Sequence, residues 1–190
     1  MRNREYENRI QRELARLGIT LELITQKKLP FYREAQELAL GDTDADGREY
    51  LMTPATAMAW AGMKAAALQD NVILEVVSAF RSIDRQIEII QNKLDRNMPI
   101  EQILTLSAPP GYSEHHTGCA IDINTPGCIA TEEEFENTDA YRWLDEHAGR
   151  FGFLLSYPRD NTLGFIYEPW HWCFQEGANL EMTISIKANY

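Results

Sequence analysis

Apolar residues recur at helical spacing from the start of the chain. Tyr6, Ile10, Leu14 and Leu17 share one face, and Gly18 follows as a stop, which predicts an amphipathic helix over residues 4–17. Residues 21–24 (Leu-Glu-Leu-Ile) read as a short strand, and residues 32–40 as a short helix ending at Gly41. Thr53 and Pro54 supply a cap and a first-turn proline for an Ala- and Met-rich helix reaching Gln69, with Met58, Trp60 and Met63 expected in the core. Residues 72–79 form a nearly continuous apolar run, a strand that delivers Phe80-Arg81-Ser82 to its end. Ser82 or Asp84 starts a helix through Ile83, Ile87, Ile90 and Leu94. Met98-Pro99 closes it, residues 100–106 make another helix, and Pro109-Pro110-Gly111 makes a stiff turn. Residues 120–123 are apolar and β-branched and read as a strand, while Thr131 is placed to cap a helix over 132–148. Residues 151–156 and 164–167 read as a hairpin around the 158–161 turn, 170–174 as another strand, and 182–186 as an edge strand. The pattern predicts an α+β fold, a small and mainly antiparallel sheet flanked by helices.

A chain of 190 residues suits one domain with a sizeable core. Residues 1–190 read as that domain, with 1–50 a helical extension packed on it and 76–174 the part that carries the chemistry. Hydrophobic and charged fractions are ordinary, but the net charge of −11 is informative. It argues against a nucleic-acid surface, which would need a basic stripe. It also requires an anionic substrate to be drawn in by a local cation, not by the field of the whole protein. The N-terminus is charged and has no apolar run, so there is no secretory signal as written and no membrane span. The expectation is a cytoplasmic protein, or a periplasmic or cell-wall one if a signal has been removed ahead of Met1. Nothing in the pattern sets an oligomeric state. Cys119, Cys128 and Cys173 are odd in number and read as unpaired thiols of a reducing compartment, not as metal ligands.

Candidate chemistry lies in two stretches, Ser113-Glu114-His115-His116-Thr117-Gly118-Cys119-Ala120-Ile121-Asp122 and Glu168-Pro169-Trp170-His171. Two histidines and one aspartate are the ligand set of an open catalytic zinc site. Glu168 stands three residues before His171, where it could take a proton from water. On a strand, Asp122 turns to a cleft while Ile121 and Ile123 turn to the core. Gly118 permits the turn before that strand. Pro169 excludes a helix interior, so this is not the helical H-E-x-x-H arrangement. By chemistry alone His115 and His116 compete for the first ligand position; His147 reads as a surface or core-edge residue. The same ligand types serve non-haem iron oxygenases, but those often place the first His and the carboxylate two apart and have no need of Glu168. Asp42 to Gly47 opens like a calcium loop, yet its twelfth position is Thr53, and a solvated acidic turn is the expectation.

The motifs S-x-H-x-x-G-x-A-x-D and E-x-W-H resemble those of the VanY-like zinc D-Ala-D-Ala carboxypeptidases, within a superfamily that includes lysostaphin-type enzymes and hedgehog domains. Arg81-Ser82 with Gln86, and Phe151-Gly152-Phe153 leading to Tyr157-Pro158, extend the match. The resemblance selects His115 over His116 and implies one Zn2+ per chain on His115, Asp122 and His171. It further implies Glu168 as general base and Arg81 facing the oxyanion or substrate carboxylate, with Ser113, Gln86, Tyr157 and Trp170 lining the substrate site. The implied fold is hedgehog/D,D-peptidase-like, and the implied partner is a peptidoglycan stem peptide or fragment cut at its C-terminal D-Ala. L,D-carboxypeptidase and D,D-dipeptidase activities fit the same site, as does a module that keeps zinc without catalysis. Ser156, where the family often has a basic residue, and Trp172-Cys173-Phe174 after the histidine depart from the pattern and leave D,D- against L,D-specificity open.

Overall fold

The computed structural model describes residues 2–176. Its first helix, α1 (Arg2–Arg16), is the amphipathic one expected, with Ile10 and Leu14 buried and Gly18 leaving at φ +75°. The stretch read as a strand is instead helix α2 (Leu21–Gln26), because the Thr20 side chain caps it, accepting from the Leu23 N–H at 3.3 Å. Residues 32–40 are not a helix. Their backbone bonds go to a distant loop: the Tyr32 N–H donates to the Gly111 carbonyl at 2.7 Å and the Ala35 N–H to the His116 carbonyl at 2.8 Å. This extended strap leads into a hairpin of β1 (Ala39–Thr43) and β2 (Glu49–Met52). In the turn, Asp44 accepts from the Asp46 and Arg48 N–H groups and the Tyr50 hydroxyl, and Asp42 accepts from Trp60 and Lys64. The carboxylates Asp42 and Asp44 of the calcium-like run are thus taken up by protein donors.

Helix α3 (Pro54–Gln69) begins on its Thr53 cap and buries Trp60 and Met63. Met58 was expected beside them but falls on the opposite face of the helix and is 78% exposed. Strand β3 (Glu75–Ser78) is shorter than the apolar run around it. It leads to α4 (Ile83–Leu94), where Ser82 accepts from the Arg85 N–H at 3.1 Å, and α5 (Ile100–Leu106) follows. After β4 (Ala120–Asn124), the single helix expected from Thr131 is absent. Thr131 has φ +58° and caps nothing; a 3₁₀ turn covers Glu133–Asn137, and Thr138 caps α6 (Asp139–His147). Residues 164–167 are irregular, with Phe165 held by the Asn161 side chain and the Ile166 N–H by the Thr105 carbonyl, and β5 (Phe153–Leu155) pairs with β6 (His171–Phe174) and not with them. The edge strand expected at 182–186 lies outside the described residues.

Four strands form one antiparallel sheet in the order β3-β4-β6-β5. Ile121, Ile123, Val76 and Trp172 join Trp60, Met63, Phe135 and Leu144 in the main core. Asp122 and His171 are register partners on adjacent strands, and Ser78 of β3 pairs with Asp122 from the other side. A second apolar cluster ties α1 to α4 and α5 through Ile10, Leu14, Ile83, Ile90 and Ile103, and reaches Tyr157 and Phe165. Those two residues, and Trp170 from the main core, border one cleft.

Candidate metal centre

Strand pairing does most of the assembly. Antiparallel register sets Asp122 opposite His171, so two carriers of metal-binding chemistry meet without any loop having to close. His115 arrives from a 3₁₀ turn over Glu114–Thr117 that ends at Gly118 in the left-handed region, φ +68°. A Cβ there would sit 3.0 Å from Leu38 Cδ2 and 3.2 Å from the Thr53 nitrogen, so glycine is required both by conformation and by space. The three residues are buried and their ligand atoms lie within 4.8 Å of one another. His115 Nε2 is 3.2 Å from Asp122 Oδ2, and His171 Nδ1 is 3.0 Å from Asp122 Oδ1.

The other nitrogen of each ring is already engaged, which fixes the nitrogen that faces the centre. His115 Nδ1 lies 2.7 Å from the Ala79 carbonyl, a bond that can only be made with Nδ1 protonated, leaving Nε2 for the centre. His171 Nε2 lies 3.0 Å from Glu114 Oε2, leaving Nδ1. Glu114 in turn accepts from Ser156 Oγ at 2.6 Å. Such carboxylate and carbonyl partners behind ligating histidines orient the ring and raise its basicity. Two imidazole nitrogens backed in this way, together with one carboxylate, fit zinc with an open position. The 3.0 and 3.2 Å separations are close to the roughly 3.4 Å that tetrahedral zinc ligands keep.

Burial alone would raise the Asp122 carboxyl, but His115 and His171 outweigh it and hold it far below the usual range. Burial pushes His115 down. Burial also disfavours charge on His171, yet Asp122 and Glu114 prevail and push it up to about 10. Glu168 lies in the turn before β6, its Oε2 3.8 Å from His171 Nδ1. Its mostly buried carboxyl is pushed up to about 7 by desolvation and by Asp122, against the lowering effect of His171, Arg81 and Lys93. Arg81 follows β3, with Nη2 3.7 Å from Asp122 Oδ2. It is tethered by Nη1 to Gln86 Oε1 at 3.0 Å and by Nη2 to Ser78 Oγ at 3.0 Å.

Arg81, Ser113, His115, Asp122, Tyr157, Glu168, Trp170 and His171 all line a single cleft of about 410 Å³. Gln86 does not. It is fully buried behind Arg81, donating to the Ala108 carbonyl at 2.8 Å, and so orients the arginine instead of forming the wall. His116 is turned away. Its Nδ1 lies 2.6 Å from the Arg81 carbonyl and its Nε2 accepts from the Gly111 N–H at 3.1 Å, so it staples the loop. Burial lowers it to about 4, consistent with a neutral ring. His147 packs edge-on against Trp143, away from the centre. Cys119, Cys128 and Cys173 are free thiols. Sequence reasoning gave no role to Glu114, Ser78 or Ser156. The one available signal was an acidic residue directly before the histidine His115, and its partner lies 57 positions away.

The family model of VanY, D-alanyl-D-alanine carboxypeptidase, matches residues 49–177. A D-alanyl-D-alanine carboxypeptidase of Enterococcus faecalis is 38% identical over 117 residues, which is 56% of this chain and 42% of that protein. The chain spans about half the length of the curated relatives it matches. Among solved structures, the LdcB LD-carboxypeptidase superposes with a TM-score of 0.70 at 28% identity, covering 82% of this chain and 77% of that one. A mutant of the vancomycin resistance D,D-pentapeptidase VanY, in complex with Zn(II), superposes with a TM-score of 0.61 at 30% identity, covering 85% and 88%.

Proposed function

The chain belongs to the VanY family of D-alanyl-D-alanine carboxypeptidases, and from that premise we propose that it hydrolyses the C-terminal D-Ala peptide bond of peptidoglycan stem peptides. The observation that carries this reading is the convergence of His115, Asp122 and His171 in one cleft with Glu168 and Arg81. His115 through Nε2, His171 through Nδ1 and Asp122 through its carboxylate would hold one zinc ion. When bound, zinc supplies a Lewis acid for the carbonyl and lowers the pKa of a water.

Glu168 acts as general base. Its carboxylate takes a proton from the attacking water and returns it to the amine nitrogen as the C–N bond breaks, leaving a new carboxylate and free D-alanine. A carboxyl poised near 7 is suited to both halves of that transfer. Arg81, held by Gln86 and Ser78, stays beside the triad and presents its remaining N–H donors to negative charge developing on the carbonyl oxygen. Ser113, Tyr157 and Trp170 form the surrounding wall.

A second reading, L,D-carboxypeptidase, is supported by the likeness to LdcB. The deciding experiment incubates zinc-loaded protein with a pentapeptide ending in D-Ala-D-Ala and with the tetrapeptide lacking the last residue, and identifies products by mass. Shortening of the pentapeptide by one alanine supports the main reading. Cleavage of the tetrapeptide alone supports the second, and release of a dipeptide would replace both with a D,D-dipeptidase.

A further inference from the structure

Catalysis at the triad uses Arg81 and leaves a second cation of the cleft, Lys93, without a role. Lys93 lies in the last turn of α4 and lines the same cleft as Arg81 and Glu168. Its ammonium donates to Ser107 Oγ at 2.8 Å, and among the described residues no carboxylate pairs with it. An ammonium has three donors. One is used, and the others are available to an incoming acceptor. Burial lowers the Lys93 pKa, and the charges it senses are those of Glu168 and Arg81. Its hydrogen bond to Ser107 is to a neutral hydroxyl, so a ligand carboxylate would add the direct ion pair that the described residues do not supply.

The helix sets the spacing. Gln86, which holds Arg81, and Lys93 lie seven residues apart on one face of α4, about 10 Å along its axis. Helical side chains lean back towards the N-terminus, so the ammonium is carried towards Arg81. Ile89 and Leu106 also line the cleft and add apolar surface suited to a methyl group. A carboxypeptidase substrate whose scissile carbonyl sits at the triad ends one residue further on, about 3.5 Å per residue in extended chain. Arg81 is tethered to Gln86 and Ser78 beside Asp122, where the proposed reaction assigns its donors to the carbonyl oxygen.

We infer that Lys93, assisted by Ser107, binds the C-terminal carboxylate of the substrate and so gives the cleft its exopeptidase polarity. This rests on the reading of His115, Asp122 and His171 as the centre that receives the scissile carbonyl.

The test separates binding from turnover. Diacetyl-L-lysyl-D-alanyl-D-alanine, whose one carboxylate is C-terminal, and its C-terminal amide are titrated calorimetrically into zinc-loaded Glu168→Gln protein. The acid should bind about tenfold or more tightly than the amide, the scale of one charge-assisted hydrogen bond. Adding Lys93→Met should bring the two ligands to within about threefold, and Lys93→Arg should restore the preference. Unchanged melting temperatures would show that the variants are folded. A Lys93→Met protein that keeps the full preference, or a parent with none, overturns the inference. Hydrolysis by the unmodified protein is scored separately: a Lys93-dependent preference without turnover sinks the peptidase reading and leaves the carboxylate site standing.

Discussion

At the scale of single residues, the His-Asp-His cluster is held by groups that do not line the cleft. Glu114 is the clearest case, because it holds His171 Nε2 and is itself held by Ser156. Glu114→Gln should therefore fold normally but bind zinc about 10- to 100-fold more weakly, as measured by competition with a chromogenic chelator. Equal affinity would show that the bond is incidental. Glu168 yields a prediction of pH dependence. In its proposed role as base it works only when deprotonated, so activity should be present above its pKa and lost as pH falls through it. Desolvation and Asp122 raise that pKa to about 7, whereas His171, Arg81 and Lys93 lower it. A bound divalent cation adds to the lowering side, so the acid limb of kcat/KM should fall at or below about 7. Lys93→Met removes one of the lowering charges and should move the limb to higher pH. A limb that moves to lower pH would contradict the sign.

At the scale of elements, what could be read in the sequence was whatever the chain decides locally. Thr53 and Ser82 cap their helices within four residues, and Ile10 and Leu14 show a helical stripe that needs no partner to be seen. The misread elements take their shape from distant groups. In 32–40 the Tyr32 and Ala35 N–H groups are taken by the Gly111 and His116 carbonyls, and in 164–167 Asn161 bonds both backbone groups of Phe165 while the Ile166 N–H goes to the Thr105 carbonyl. The residues of the His115, Asp122 and His171 cluster were legible from their motifs, whereas the facing of each ring nitrogen was not, since Ala79 and Glu114 enter only through the fold. The helix α1 matters energetically through the second apolar cluster, where Leu14 is 2% exposed. Leu14→Ala should cost roughly 2–5 kcal/mol in urea unfolding. A loss below about 1 kcal/mol would mean that α1 packs more loosely than described.

At the scale of the whole molecule, a chain of net charge −11 places two cations, Arg81 and Lys93, in one cleft beside a buried His-Asp-His cluster. The long-range field opposes an anionic peptide, so recognition has to come from inside the cleft, where screening is weak. Among the described residues no helix is long and apolar enough to cross a membrane. The central claim is that ligation and proton transfer are carried by different residues of this cleft. The most direct measurement determines zinc content and release of D-alanine together, for the parent, Glu168→Gln and His171→Ala. The parent should hold about one zinc per chain and release D-alanine. Glu168→Gln should keep the zinc and lose turnover by about 100- to 10,000-fold, and His171→Ala should lose both. A zinc-replete Glu168→Gln protein with near-parental turnover, or a His171→Ala protein that binds zinc as tightly as the parent, would contradict the account.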